Sequence, residues 1–200
     1  MADVLHFYLR DRGSVLASRR RGREAAAHLR QLREEPSDLI LDFKDVEAVT
    51  PPFLQELLDA VQSSINQADR GRLVVAANLN DDVAETLALV LERRKQTLAF
   101  RRGTKVELLK PEQHLVETLR EAQSLKRFTA GDLATRLDIN PTAAHQRLQP
   151  LLAAGVVARD FGLTAKGRRS RVFRAASRDM PHFSEPPRQA AATRREPATT

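Results

Sequence analysis

The chain has 200 residues, a formal net charge of +7 and no cysteine, which excludes a disulfide scaffold and thiolate metal sites. No apolar run approaches the roughly 20 residues that span a bilayer, and the opening Met1-Ala2-Asp3-Val4-Leu5-His6 lacks the basic and apolar blocks of a secretion signal, so a cytoplasmic protein without membrane partners is expected. The charge is uneven: residues 1–110 carry 18 basic and 17 acidic side chains, residues 111–200 carry 15 and 9, and residues 156–178 carry seven and one. A local excess of that kind points to a polyanion-facing surface in the second half.

The first half alternates strand and helix patterns. Val4 to Leu9 predicts a strand, and Ser18 predicts the cap of a helix running to Arg33 with Ala25, Ala26, Leu29 and Leu32 on one face. Pro36-Ser37-Asp38 breaks it. Leu39-Ile40-Leu41-Asp42-Phe43 is a short apolar run of the buried-strand type, and Val46 to Val49 reads as a connector. Thr50 and Pro51 open a helix, a good N-cap followed by a tolerated first-turn proline, carrying Phe53, Leu54, Leu57, Leu58, Val61 and Ile65 at helical spacing. Asp69-Arg70-Gly71 ends it. Leu73 to Ala77 predicts a third strand, Asn80-Asp81-Asp82 a third helix, and Thr97–Phe100 and Val106–Leu109 closing strands. This order implies crossover units and a mainly parallel, mixed sheet.

Pro111 marks the expected boundary. Beyond it, Glu112 to Gln123 predicts a helix with Leu115, Val116 and Leu119 inward. Ala130 to Leu137 predicts a short helix capped by Thr129. Asp138-Ile139-Asn140 reads as a tight turn and Pro141 to Ala154 as another helix, with Gly155 at its end. Pro150 inside that helix is expected to kink it or stop it early. Val156 to Asp160 and Arg171 to Ala175 predict two strands, with a turn at Phe161-Gly162. From Ser177 the sequence is Pro-, Arg-, Ala- and Thr-rich and is expected to be a disordered tail.

The run from Phe128 to Arg159 (an Asp132-Leu133-Ala134 helix, a short turn, a helix opening at Pro141, then Leu148, Leu151, Leu152 and Gly155-Val156-Val157) resembles a bacterial winged helix-turn-helix over residues 112–175. The resemblance implies that the second helix is a recognition helix docking in the major groove of duplex DNA. Leu148, Leu151 and Leu152 then face inward. Thr142, His145, Gln146 and Arg147 face the groove, and Lys166, Arg168, Arg169 and Arg171 lie on or beside the wing, near phosphates. Winged helices also serve in protein contacts, and that reading stays beside the first. Taken alone, His145 reads as a surface polar residue, without a cluster that suggests metal binding.

Ser18-Arg19 with Gly22 and Ala25, and the block Leu41-Asp42-Phe43-Lys44-Asp45-Val46 through Thr50-Pro51-Pro52-Phe53 to Glu56-Leu57, resemble STAS-like domains, distant relatives of anti-anti-sigma factors. The resemblance implies an α/β partner-binding domain over residues 1–110, whose partners include histidine-kinase-type ATPases and sometimes small ligands. Thr50, Phe53 and Glu56 on the second helix are candidate partner contacts. Anti-anti-sigma factors carry a switch serine where this chain has Thr50-Pro51-Pro52, and Thr50 reads first as an N-cap, which weakens phosphate switching. Arg19, Arg20, Arg21 and Arg23 have two readings: a contact for phosphate or an acidic partner, or a solvated helix start that opposes the macrodipole at roughly 0.3–1 kcal/mol per exposed cation.

Walker-type, GxGxxG, HExxH and GxSxG patterns do not occur. Asp42 and Asp45 flank a strand end, where capping and turn formation explain them. The expected architecture is therefore α/β: a STAS-like mixed sheet with helices (1–110), a small α+β winged helix-turn-helix (111–176) and a tail (177–200). The expected function is non-enzymatic, without cofactor or metal: a transcriptional regulator binding duplex DNA, expected as a homodimer. The alternatives are an adaptor acting beside a histidine-kinase-type ATPase without DNA binding, and a small-ligand sensor.

Overall fold

The computed structural model describes residues 4–32, 38–67, 71–163 and 169–176. In the first half, β1 (Val4–Tyr8) is followed by a 3-10 turn, Leu9–Arg12, so Leu9 leaves the predicted strand. Then come β2 (Val15–Leu16), α1 (Arg19–Gln31), β3 (Asp38–Asp42), β4 (Ala48–Val49), α2 (Pro51–Gln67), β5 (Val74–Ala77), α3 (Asp81–Arg93), β6 (Leu98–Arg102) and β7 (Lys105–Leu109). One five-stranded sheet has the order β1-β3-β5-β6-β7. Its first four strands are parallel and β7 runs antiparallel to β6. The expected connector at Val46–Val49 contains β4, which pairs with β2 in a separate parallel ribbon.

Local chemistry explains where the helices start. The Ser18 hydroxyl accepts from the Arg21 N–H at 3.5 Å. Asn80 accepts from the Val83 N–H at 2.8 Å, while its amide donates to the Val46 carbonyl, also at 2.8 Å. Thr50 receives the Phe53 and Leu54 N–H groups on its backbone carbonyl. Its hydroxyl donates to the Leu16 carbonyl at 3.4 Å, tying β2 to the start of α2.

The second half contains α4 (Gln113–Leu125), β8 (Arg127–Phe128), α5 (Ala130–Leu137), α6 (Pro141–Ala153), β9 (Val157–Leu163) and β10 (Arg169–Ala175). The three strands form an antiparallel sheet of order β8-β10-β9. Three expectations are corrected. Phe161 and Gly162 do not turn; they pair with Arg171 and Ser170 inside the ribbon, because ladder pairing outweighs the turn preference of one glycine. Pro150 does not stop α6, which continues to Ala153. It lies in the last turn, so only its own bond back to Gln146 is lost, and the Ala154 N–H still closes on the Pro150 carbonyl at 2.9 Å. Val116 is 43% exposed, since the buried stripe of α4 runs through Leu115, Leu119 and Ala122 and passes it by.

The sheet is covered on both faces, which is why β3 and β5 are buried along their whole length and read as unbroken apolar runs. Leu39, Leu41, Val74, Ala76 and Leu98 meet α1, α2 and α3. The alternate residues Leu73, Val75 and Ala99, with Val106 and Leu108, meet side chains of the second half, including Leu115, Leu119, Leu151 and Val156. One face of the sheet therefore shares its apolar core with the second half, while the other face packs under the first half's own helices.

Polar contacts reinforce that junction. The Val74 N–H donates to the Gly155 carbonyl at 2.8 Å, so the turn after α6 extends the hydrogen bonding of β5. Gly155 has φ +67°, and a Cβ there would lie 2.9 Å from Ile65 Cδ1. Only glycine accepts both that backbone geometry and that proximity. The Gln123 amide donates to the carbonyls of Val106 and Ala176, both at 3.0 Å. Arg174 of β10 reaches Asp38 of β3 with two bonds of 2.6 Å.

Candidate functional site

α5 and α6 form a helix pair joined by three residues. Thr129 and Asp132 make a reciprocal cap at the start of α5: the Asp132 N–H donates to the Thr129 hydroxyl at 3.2 Å and the Thr129 N–H donates to the Asp132 carboxylate at 2.7 Å. This arrangement satisfies two N-terminal donors at once. Asp138 turns the chain in the left-handed region, φ 52°. Asn140 then caps α6, accepting from the Ala143 N–H at 2.7 Å, and Pro141 takes the first helical position, where its missing N–H costs nothing.

α6 is divided along its length. Ala144, Leu148 and Leu151 are buried, and Leu152 is partly so. The opposite face exposes Thr142, Gln146 and Gln149. His145 is half-buried beside them, with its Nε2 3.0 Å from the Gln149 amide. Thr142, His145 and Gln146 are thus brought together as expected, with Gln149 added. Its spacing from His145 is a one-turn signal legible in the sequence. Arg147 goes elsewhere: its guanidinium lies 3.8 Å from Glu117 of α4, because the helix turn carries it toward its neighbour instead of outward.

On the ribbon, Arg171 and Arg159 are exposed. Arg159 was not singled out from the sequence. Lys166 and Arg168 lie outside the described residues, and Arg169 is placed by its backbone as the first residue of β10. Arg174, counted in the basic excess, is spent inside the molecule on Asp38. Other cations of this half also meet carboxylates: Arg127 with Asp160 at 3.2 Å, Arg136 with Glu121 at 3.4 Å and Arg120 with Glu121 at 3.3 Å. The formal charge therefore overstates what this half offers to a polyanion.

The second candidate surface is the start of α1. Arg19, Arg20, Arg21 and Arg23 are all exposed. Arg19 and Arg23 flank Glu56 of α2 at 3.6 and 3.5 Å, Arg20 bonds Glu24 at 2.8 Å, and Arg21 donates to the Val15 carbonyl at 3.5 Å. Glu56, named as a partner contact, is thus engaged by this chain's own arginines. Phe53 is a correction: it is 0% exposed and forms part of the core beneath α1. Its apolar spacing belongs to the buried stripe of α2, so it is not available to a partner. Thr50 is half-buried, with its hydroxyl on Leu16.

At the carboxyl ends of β1 and β3, Asp42 is buried and accepts from the Lys44 N–H at 2.8 Å and the Asn78 amide at 2.7 Å. Asp45 turns the chain at φ 59°. These are structural roles for the two acids. Burial holds the His6 imidazole below its ordinary pKa, against a smaller opposing pull from Asp42. Among the described residues no group of three or more His, Asp and Glu side chains converges on a metal-sized site.

No protein-family model matches the chain, and neither a curated protein nor a solved structure resembles it significantly.

Proposed function

We propose that the chain is a non-enzymatic transcriptional regulator of the cytoplasm. Residues 111–176 act as a winged helix-turn-helix on duplex DNA, and residues 1–110 act as a STAS-like domain that receives a protein partner or ligand. The observation that carries this reading is the division of α6. Its apolar face is consumed by the core, while Thr142, His145, Gln146 and Gln149 are left together on the outer face of the second helix of a tightly turned pair. In helix-turn-helix proteins that face meets base edges. Arg159 and Arg171 on the adjoining ribbon suit phosphates.

The test is fluorescence anisotropy of the full chain on duplex DNA across a salt series. Affinity is expected to fall steeply with salt through counterion release. Changing Arg168, Arg169 and Arg171 together to Ala is expected to weaken all sequences alike and flatten the slope. Gln146→Ala is expected to alter sequence preference. An unchanged affinity in the triple variant would remove the wing from the mechanism.

A second reading has its own observation. The four exposed arginines at the start of α1 lie on the element packed over the opposite face of the sheet from the second half. They suit an acidic surface on a protein such as a histidine-kinase-type ATPase, with the chain acting as an adaptor. A pull-down that recovers such an ATPase, from a chain with no DNA affinity at physiological salt, would select that reading.

A further inference from the structure

β7 is an edge strand of the five-stranded sheet. A cleft of about 790 Å³ runs between it and α4. Its floor is apolar, with Leu108 and Leu119 below and Val116 exposed at the side. Lys105, Arg120 and Lys126 line it together with the carboxylate of Glu107, and Arg120 also pairs with Glu121 at 3.3 Å, a carboxylate it shares with Arg136 at 3.4 Å. We propose that this cleft docks an acidic, extended segment of a partner protein, added to the sheet beside β7.

The backbone of β7 sets the geometry. The Val106 carbonyl receives the Gln123 amide, so the main chain of Val106 faces α4 and not β6. Leu109 faces the other way, its carbonyl accepting from the Thr97 hydroxyl at 2.7 Å. Strand alternation then puts Leu108 on the same outer edge as Val106. By this alternation the Val106 N–H and both main-chain groups of Leu108 point away from β6. A partner strand satisfies such groups, as in other cases of strand addition, with affinity from main-chain bonds and specificity from alternate side chains. Apolar side chains of the segment meet Leu108, Leu119 and Val116, and its carboxylates meet Lys105 and Arg120. The chemistry disfavours nucleic acid: phosphates cannot continue a β-ladder, and no aromatic ring is among the described residues lining the cleft.

The site is independent of the exposed face of α6, so its test does not depend on DNA binding. The probe is a fluorescein-labelled heptapeptide of alternating Glu and Val, titrated with the full chain and followed by anisotropy. Saturable binding is expected, weakened at least tenfold by Lys105→Glu with Arg120→Glu, both exposed side chains whose exchange is checked by an unchanged melting curve. The same peptide with every backbone amide N-methylated is expected not to bind. Equal binding of the N-methylated peptide would reduce the contact to charge alone and overturn the added strand. If only a chain ending at Ala176 binds the probe, the cleft is taken by this protein's own C-terminal residues, and the partner assignment falls. Absence of binding by both chains overturns the proposal outright.

Discussion

Asp38 ties the two halves together through a paired charge. Its carboxylate is nearly buried, accepts two bonds of 2.6 Å from Arg174, and also receives the Leu73 N–H at 3.0 Å. Removing one member leaves the other desolvated and unmatched, which typically costs about 3 kcal/mol. Asp38→Asn and Arg174→Met are each expected to lower the unfolding free energy by that order, read as a fall in the urea midpoint at unchanged m. The double variant should be little worse than either single one, because the penalty of a stranded charge then disappears. At His6 the relevant quantity is pH. Its folded pKa lies below the ordinary 6.5, so the folded state takes up that proton at lower pH than the unfolded chain does. The contribution is full above 6.5 and is lost as pH falls through that value toward the folded one. The melting temperature is expected to drop as pH falls below 6.5, with a smaller drop in His6→Gln.

At the scale of elements, α1 crosses close over α2 at Gly22. A Cβ on Gly22 would stand 2.8 Å from the Phe53 carbonyl oxygen and 3.1 Å from Glu56 Cβ. Gly22→Ala therefore sets two effects against each other. Alanine improves helix propensity by up to about 1 kcal/mol, while forcing two backbones apart costs typically about 1–3 kcal/mol. Because the nearest atom belongs to the backbone and cannot rotate away, destabilisation is expected to win, and thermal melting of the variant measures it. α6 teaches a related lesson. Its start was legible because Asn140-Pro141 is a local signal, and its inward leucines because their spacing is helical. The direction of Arg147 was not legible, since it depends on where α4 lies. Phe53 failed for the same reason: apolar spacing marks a face but does not say whether a partner or the protein's own α1 covers it.

For the whole molecule, the decisive feature is the shared core. Leu73, Val75, Ala99, Val106 and Leu108 of the sheet complete the apolar cluster of the second half, and the Gly155 carbonyl takes part in the hydrogen bonding of β5. A fragment of residues 111–176 alone exposes that surface and loses those partners. It is expected to lack a cooperative melting transition, whereas a chain of residues 1–176 unfolds in one step. Circular dichroism of both constituents, the fragment and the longer chain, decides the matter. A sharply melting fragment would mean that its three helices and ribbon suffice without the sheet.

Composition, periodicity and capping residues determined the alternation of strands and helices, their approximate ends, the mixed sheet and the candidate face of α6, because each depends on neighbours within a few positions along the chain. The tertiary structure decided which charges remain outward, which apolar stripe is covered by which element, and that both faces of one sheet serve two halves of the chain. Those outcomes depend on contacts between residues far apart in sequence, such as Asp38 with Arg174 and Val74 with Gly155. Local propensity carries no record of such pairs: their energies arise only when packing brings the two segments together and removes water from between them.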